Sequence, residues 1–226
     1  MILERCSEDY EREFYLRRTQ QFGWTKNVLI HQIENRTYEK TRLNQTSFDS
    51  ALPEQIRRQA KLAVKDEYTF DFLELADEHS ERQLEQAILA KVEPFLLEMG
   101  GMFSFIGSQY RLEVGGKEYF IDLLLFHRRL RSLVAVELKI GEFQPEHIGK
   151  MQFYLAVLDD ISRLEGENPA IGFLICKSKD RTIVEYALKE TSKPIGVATY
   201  RVTSSVPEEL RNDLPAPEQI AKLLND

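Results

Sequence analysis

Residues 119–140 read YFIDLLLFHRRLRSLVAVELKI, two apolar runs on either side of a short basic segment. Each run has the length and the branched or aromatic composition of a buried β-strand, and the segment HRRLRS between them is short enough for a turn. We therefore expect an antiparallel hairpin in the core of the fold. Three charged residues, Asp122, Glu137 and Lys139, lie inside the apolar runs, where burying a charge is unfavourable.

Helical and strand-like patterns alternate around this hairpin. A helix over 80–100 begins with a capping box formed by Ser80 and Gln83. A strand over 103–114 leads through the Gly115-Gly116 turn into the hairpin. After the hairpin come the helix PEHIGKMQFYLAVLDD, the strand AIGFLIC, the helix RTIVEYALKE and the strand IGVATYRV. The order α-β-β-β-α-β-α-β predicts an α/β (α+β) fold in which helices flank one central mixed β-sheet.

The chain divides into two parts of different pattern. Residues 1–75 have apolar and aromatic residues at three-to-four spacing and predict an N-terminal helical segment, although the stretch EYTFDFLEL is ambiguous. Residues 76–226 predict the α/β domain, which ends in a short helix over 217–225. The predicted domain boundary therefore follows residue 75.

Composition limits the partners that the chain can have. The sequence contains no run of about 18 apolar residues, so we expect no contact with a membrane. Its start, MILERCSEDYERE, turns acidic at once, and its two cysteines match no metal or redox spacing. We therefore expect reduced thiols and a cytoplasmic location. The net charge of −7 weighs mildly against a nucleic-acid partner, although a site can be locally basic.

Strand alternation brings the charges of the hairpin onto one face. Glu137 and Lys139 point the same way, about 7 Å apart, which is twice the rise per residue of a strand. A symmetric hairpin centred on residues 129–130 places Asp122 opposite Glu137, and such cross-strand neighbours have Cβ atoms about 4.5–5.5 Å apart. Two carboxylates at that distance repel each other unless a cation lies between them.

Two interpretations of this cluster are open. The charges can form a buried ion pair or lie on an exposed edge strand. Alternatively they bind a divalent metal, because hard cations such as Mg²⁺ or Mn²⁺ take carboxylate oxygens and water. A metal held by Asp122 and Glu137, with the Leu138 carbonyl as a further ligand, would polarise a phosphate and lower the pKa of a bound water. Lys139 would orient or deprotonate that water, so the cluster favours phosphodiester hydrolysis.

The motif D-x14-E-x-K on a hairpin, after a helix and a strand and before a helix, resembles the PD-(D/E)XK nuclease superfamily, which has a restriction endonuclease-like core. The segments EYFIDLLLFHRRLRSLVAVELKIGEF, GKMQFYLAVLDD and ENPAIGFLICKSKDRTIVEYAL are similar to the YhcG-like family of bacterial nucleases. This resemblance covers most of residues 70–210. Family members usually carry a longer N-terminal region, so the chain resembles a member shortened there. Ile121 replaces the proline of the superfamily motif, which many relatives also lack.

The resemblance implies that Asp122 and Glu137 bind the metal and that Lys139 is the catalytic lysine. The superfamily often adds an acid from the first core helix. Glu85 lies on or beside the apolar stripe of its helix and fits this role as a catalytic residue and metal ligand, with a solvated position as the alternative. The superfamily also often adds a glutamine or lysine after the E-x-K strand. Gln152 fits there, with a structural hydrogen bond as the alternative.

Basic residues near the hairpin are candidates for contacts with a nucleic-acid backbone. Arg128, Arg129 and Arg131 lie in the turn, six or more residues from Asp122, and a solvated turn explains them slightly better. Three further candidates of similar weight are Arg111, Lys117 and Lys150.

Two functions remain in competition. The first is a Mg²⁺-dependent nuclease acting on DNA. The second is a catalytically weak or inactive nucleic-acid-binding or assembly subunit of a DNA-processing or defence complex. The intact Asp122, Glu137 and Lys139 favour the first, whereas the acidic balance favours the second slightly. Because cutting two strands often takes two sites, a homodimer is a further expectation.

Overall fold

The computed structural model describes residues 2–6, 8–42, 44–73, 75 and 78–202. The helix predicted over 217–225 lies outside these residues. Within them, no helix combines the length and the apolar composition that crossing a membrane requires.

The described residues form one mixed sheet of seven strands. The strands are β1 (Gln45–Thr46), β2 (Glu67–Thr69), β3 (Phe103–Val114), β4 (Lys117–His127), β5 (Ser132–Glu142), β6 (Ile171–Ser178) and β7 (Ile195–Arg201). Their order is β1-β7-β6-β5-β4-β3, and β2 also pairs with β7. β3, β4 and β5 are antiparallel neighbours, whereas β5, β6 and β7 run parallel. The predicted fold class and the predicted order of the core elements are confirmed.

Helices cover both faces of this sheet. The helices of the described residues are α1 (Ile2–Arg5), α2 (Asp9–Phe22), α3 (Lys26–Glu34), α4 (Thr37–Arg42), α5 (Phe48–Ala51), α6 (Glu54–Ala63), α7 (Glu81–Ala90), α8 (Val92–Met99), α9 (Glu146–Val157) and α10 (Arg181–Lys189). Of these, α1 to α4 pack around a separate core of their own. A π-helical turn, Leu158–Ser162, extends α9. α6, α7 and α8 pack in one core with one face of the sheet, and α9 and α10 pack in a second core on the other face.

The helix predicted as one piece over 80–100 consists of two helices. Its start is as predicted, since the Ser80 side chain accepts a hydrogen bond from the Gln83 backbone and the Gln83 side chain caps Ser80 in return. α7 and α8 meet at Lys91, whose φ of −126° and ψ of 41° are not helical. Pro94 explains the interruption, because a proline ring clashes with the carbonyl four residues earlier and offers no N–H to it.

The N-terminal part is mostly helical, but it also supplies two strands of the sheet. β1 pairs antiparallel with β7 at Gln45 and Val197, and β2 pairs parallel with β7 at Tyr68 and Tyr200. The ambiguous stretch EYTFDFLEL therefore contains a strand. The domain boundary expected after residue 75 stays a prediction, and sheet pairing crosses it.

Side chains alternate along β5 as predicted. Val134, Val136 and Leu138 belong to the core that contains α7 and α8, whereas Leu133 and Ala135 belong to the core beneath α9 and α10. β5 lies between β4 and β6, so the interpretation of its charges as those of an exposed edge strand is wrong.

The β4–β5 hairpin has the predicted register. The turn falls on residues 128–131, and the paired positions end at Leu123 and Val136. One further step along the same register brings Asp122 opposite Glu137, as the hairpin midpoint predicts. The ladder between the two strands therefore ends where the charged residues begin.

His127 is fully buried at the other end of the β4–β5 ladder, with an exposed fraction of 1%. Its Nδ1 accepts a hydrogen bond from the backbone N–H of Leu130 at 3.0 Å, and its ring packs edge-on against Phe103 with the centroids 4.7 Å apart. Burial lowers the pKa of His127 from 6.5 to about 4. The ring is therefore neutral in the folded protein near neutral pH, where Nδ1 can act as an acceptor.

We expect the protein to lose stability as the pH falls from about 6.5 to about 4. In this interval the unfolded chain binds a proton at His127 that the folded protein does not, so the free energy of unfolding falls, by roughly 3 kcal/mol once the interval is crossed. Urea denaturation at several pH values measures this loss. His127→Asn should flatten the profile, and the control His147→Asn, with its partly exposed ring, should keep most of it. The reverse result would show that His127 is not responsible.

Candidate active site

Asp122 lies where β4 and β5 separate. Its Oδ2 accepts a hydrogen bond from the backbone N–H of Leu138 on β5 at 2.8 Å. Its Oδ1 lies 3.4 Å from Nε2 of Gln109 on β3. The side chain of Asp122 therefore takes the place of a backbone acceptor, and its carboxylate is held between the two neighbouring strands.

Glu137 is buried beside it, with an exposed fraction of 1%. Its Oε2 accepts a hydrogen bond from the Lys150 ammonium at 2.7 Å and lies 3.8 Å from Nζ of Lys139. Its Oε1 is buried and has no hydrogen-bond partner among the described residues. Burial, followed by the negative charge of Asp122, raises the pKa of Glu137. This oxygen is therefore available to a further cation.

Lys139 connects β5 with α7. Its ammonium donates hydrogen bonds to the carbonyl oxygen of Leu138 at 2.9 Å and to Oε2 of Glu81 at 3.0 Å. Its side chain is mostly buried, with an exposed fraction of 16%. Because the ammonium also lies 3.8 Å from Glu137, it forms ion pairs with acids of two different elements.

Glu85 approaches the same place from α7. It is buried, and its Oε2 accepts a hydrogen bond from Nε2 of Gln109 at 2.7 Å. The same amide nitrogen lies 3.4 Å from Asp122, so Gln109 bridges the two carboxylates. Burial raises the pKa of Glu85, and the charge of Asp122 adds to that effect. The structure thus brings together Asp122, Glu137, Lys139 and Glu85, which the sequence analysis selected.

Three contacts of the site were missed by the sequence analysis. Gln109 could have been found, because counting back from the Gly115-Gly116 turn places it opposite Asp122. Glu81 could also have been found, since it precedes Glu85 by four residues and so shares its helix face. The contact of Lys150 with Glu137 depends on how α9 docks on the sheet, for which the sequence gives no comparable signal.

Gln152 and the basic candidates take different positions. Gln152 makes no hydrogen bond to the carboxylates in the described part of the chain, and its predicted role stays a prediction. Arg111 forms ion pairs with Glu113 at 2.8 Å and Glu118 at 2.7 Å, so neighbouring acids balance its charge. Four other predicted contact residues are exposed, namely Lys117, Arg128, Arg129 and Arg131.

A cavity of about 510 Å³ opens beside the carboxylates, within the range of roughly 300–1,000 Å³ that is usual for small-ligand sites. α7 forms one wall of it, and β3 and β4 contribute Gln109 and Asp122 to another. The remaining lining residues are Glu81, Arg82, Glu85, Gln86 and Leu89. Arg82 is exposed and places a positive charge at this cavity.

The oxygen donors of the site fit a hard divalent cation. Asp122 and Glu137 offer carboxylate oxygens and Leu138 a carbonyl oxygen, and protein Mg²⁺ sites commonly use one or two carboxylates together with water. The described residues contain no group of three His, Cys, Asp or Glu side chains that could hold a metal ion by themselves. The fit therefore rests on the unpartnered Oε1 of Glu137, which a cation would satisfy.

Comparisons with known proteins show the family to which the chain belongs. Residues 61–215 match the model of a family described as the YhcG PDDEXK nuclease domain. The chain is 34% identical over 203 residues to "Putative nuclease YhcG" of Escherichia coli (strain K12), in an alignment that covers 88% of this chain and 54% of that protein. The chain thus spans about half the length of this curated relative.

Two solved structures show a more distant likeness. A repair endonuclease from Pyrococcus abyssi is 18% identical and has a TM-score of 0.36, over 57% of this chain and 50% of that chain. The EndoMS-dsDNA2 complex is 16% identical and has a TM-score of 0.38, over 61% of this chain and 50% of that chain. At these TM-scores neither likeness supports a conclusion about function.

Proposed function

Because this chain belongs to the YhcG PDDEXK nuclease domain family, we propose that it is a metal-dependent nuclease that hydrolyses phosphodiester bonds in DNA. One observation supports this most strongly. Buried Glu137 keeps a carboxylate oxygen without a partner among the described residues, at the end of a hairpin where Asp122 and Lys139 also lie. Lys139 and Lys150 pair with the other oxygen of Glu137, so a cation would supply the partner that Oε1 lacks.

Mg²⁺ or Mn²⁺ would be held by Asp122, Glu137 and the Leu138 carbonyl, with Glu85 as an additional carboxylate. Bound there, the cation would polarise the phosphodiester and lower the pKa of a coordinated water. The raised pKa values of Glu137 and Glu85 support this assignment. A positive charge beside these carboxyl groups would offset the effect of burial and favour their ionised forms.

Lys139 is the proposed catalytic lysine. Its ammonium can exchange its hydrogen bond to Glu81 for one to a phosphate oxygen or to the attacking water. In that position it would stabilise the negative charge that develops on the phosphate. Glu81 would keep the ammonium close to the carboxylates when no substrate is bound.

Lys150 is a second candidate for contact with the phosphate. Its ammonium balances the charge of Glu137 in this structure. Burial lowers the pKa of Lys150, but the hydrogen bond to Glu137 outweighs burial, so the pKa of Lys150 is raised. If a cation bound beside Glu137, the Lys150 ammonium would be free to contact a phosphate oxygen instead. Gln152, two residues later on α9, remains the other candidate from this helix.

Lys150→Gln should lower the single-turnover cleavage rate roughly tenfold or more, because one donor to the phosphate is lost. The same substitution should raise the affinity for Mn²⁺, because a competing positive charge beside Glu137 is removed. Gln152→Ala, on the same helix, is the matched comparison, and the rise in melting temperature with Mn²⁺ reports metal affinity. A larger loss of cleavage in Gln152→Ala than in Lys150→Gln would show that Gln152, and not Lys150, contacts the phosphate.

A catalytically weak binding or assembly subunit is the second candidate function. The net charge of −7 favours it, as do the two lysines that already lie beside Glu137. A homodimer and a cytoplasmic location stay expectations.

Cleavage assays with duplex DNA, single-stranded DNA and RNA separate the two functions. We expect cleavage of DNA with Mg²⁺ or Mn²⁺ and none after chelation with EDTA. If no substrate is cut and neither metal changes the melting temperature, the binding subunit is the better description.

A further inference from the structure

Four arginines line a second cavity, of about 770 Å³, between α2, α6 and the β4–β5 turn. We call it the basic cleft. Its charged and amide-bearing residues include Arg17, Arg18, Arg58, Arg129, Gln55 and Gln59. Among the described residues, no acidic side chain lines it. In a chain of net charge −7, such a group of cations produces a locally positive surface.

Arg18 forms the buried floor of the basic cleft, with an exposed fraction of 3%. Its Nη1 donates a hydrogen bond to the Leu62 carbonyl at 2.6 Å, and its guanidinium lies 4.7 Å from the ring centroid of Phe14 and 5.0 Å from that of Phe22. Its Nε and Nη2 have no hydrogen-bond partner in the part of the chain that the structure describes. Buried charges in proteins are normally paired, so an anion bound nearby would stabilise Arg18.

Burial also affects the pKa of Arg18. Burial lowers the pKa of this guanidinium to about 9. An anion in the basic cleft would favour the charged form and offset the desolvation of Arg18.

The exposed arginines of the basic cleft are also available to a ligand. Arg58 and Arg129 form no ion pair or hydrogen bond with any described residue, and both are exposed. Arg17 pairs with Glu13 on the same helix, at the surface. Exposed pairs of this kind are weak, so Arg17 can turn to an anion at little cost.

We propose that the basic cleft binds the phosphate backbone of the nucleic-acid substrate at a distance from the cleavage site. This inference rests on the proposed nuclease function, whose candidate site supplies the reacting end of the same ligand. Arginine side chains form bidentate hydrogen bonds with phosphate groups, and glutamine amides add neutral donors. Of the three arginines in the β4–β5 turn, Arg129 is therefore the one assigned to the backbone contact.

The position of the basic cleft suits a duplex that passes over both sites. α6 and α7 pack in the same core on one face of the sheet, so the basic cleft and the α7 wall of the active-site cavity lie on that face. Asp122 lies in the middle of β4 and Arg129 in the turn that follows it, seven residues further on, so the two are roughly 20 Å apart at the rise of a strand. This distance corresponds to about six base-pair steps of B-DNA.

Binding of a fluorescent 30-base-pair duplex tests this inference, measured by anisotropy in EDTA over a series of salt concentrations. The variant Arg58→Gln/Arg129→Gln should bind about tenfold more weakly near 100 mM salt, and the slope of log affinity against log salt should decrease by about two. The charge-matched control Lys91→Gln/Arg163→Gln changes two exposed residues outside the basic cleft. It should bind like the wild type.

Arg18→Met tests the buried arginine separately. The free variant should melt no lower than the wild type, because an apolar chain of similar length replaces an unpaired buried charge. The rise in melting temperature on adding the duplex should be smaller than in the wild type. An equal rise would show that Arg18 does not respond to the ligand.

Three results would overturn the inference. The first is equal duplex binding by the wild type and the Arg58→Gln/Arg129→Gln variant. The second is no duplex binding by the wild type at low salt. The third is a tripolyphosphate-induced stabilisation without duplex binding, which would assign the basic cleft to a small polyanion. Because binding is measured without metal, a wild type that binds through the basic cleft but never cleaves would refute the nuclease proposal alone.

Discussion

Asp122→Asn should lower the rate of metal-dependent DNA cleavage by about three orders of magnitude, which corresponds to ~4 kcal/mol of transition-state stabilisation. The asparagine oxygen can still accept the hydrogen bond that the Leu138 N–H makes to Asp122 at 2.8 Å. The fold around the hairpin should therefore persist. The negative charge that a divalent cation requires is lost, so catalysis fails for lack of the cation.

A thermal-melting assay separates this effect from misfolding. Mn²⁺ should raise the melting temperature of the wild type and leave that of Asp122→Asn nearly unchanged. Asp160→Asn is the matched control, because Asp160 is exposed and makes no ion pair with a described residue. Cleavage at the wild-type rate by Asp122→Asn, or an equal Mn²⁺ effect on its melting temperature, would refute the assignment of Asp122.

Lys139→Gln should lower cleavage by about two orders of magnitude, because it removes a positive charge and leaves the metal ligands in place. The glutamine can still hydrogen-bond near Leu138 and Glu81, but it carries no charge to stabilise the phosphate in the transition state. Because one positive charge beside Glu137 disappears, Mn²⁺ should bind at least as tightly as in the wild type.

The pattern across variants distinguishes a catalytic lysine from a structural one. Lys139→Gln should cleave poorly while its melting temperature still rises with Mn²⁺. Lys189→Gln, at an exposed position on α10, should cleave and respond to Mn²⁺ like the wild type, and Glu81→Gln should reduce cleavage only slightly. If Lys139→Gln unfolds or loses the response to Mn²⁺, the lysine supports the fold or the metal site instead.

The hairpin shows how far the sequence alone could lead. Strand alternation and the midpoint of the basic turn predicted that Asp122 would lie opposite Glu137, and the register of β4 and β5 agrees. This worked because a buried strand has a period of two and a short turn leaves little freedom in register. The same count applied to the β3–β4 turn would have found Gln109.

Other features depended on tertiary packing that periodicity does not encode. Lys150 reaches Glu137 only because α9 docks on the sheet with this side chain toward β5. The basic cleft combines Arg18 and Arg58 from the N-terminal helices with Arg129 from the hairpin turn. No local pattern connects residues so far apart. The interruption at Lys91, by contrast, could have been predicted from Pro94, because a proline disturbs a helix locally.

β7 has a consequence for how the protein is made. It pairs with β1 and β2, whose residues precede it by more than a hundred positions. During synthesis these two strands leave the ribosome long before β7 exists. Until then, the backbone N–H and C=O groups that pair with β7 have no strand to bond to. Contacts of such long range slow folding, and segments without partners are prone to aggregate. A chain that terminates before Ile195 should therefore leave its amino-terminal strands unpaired.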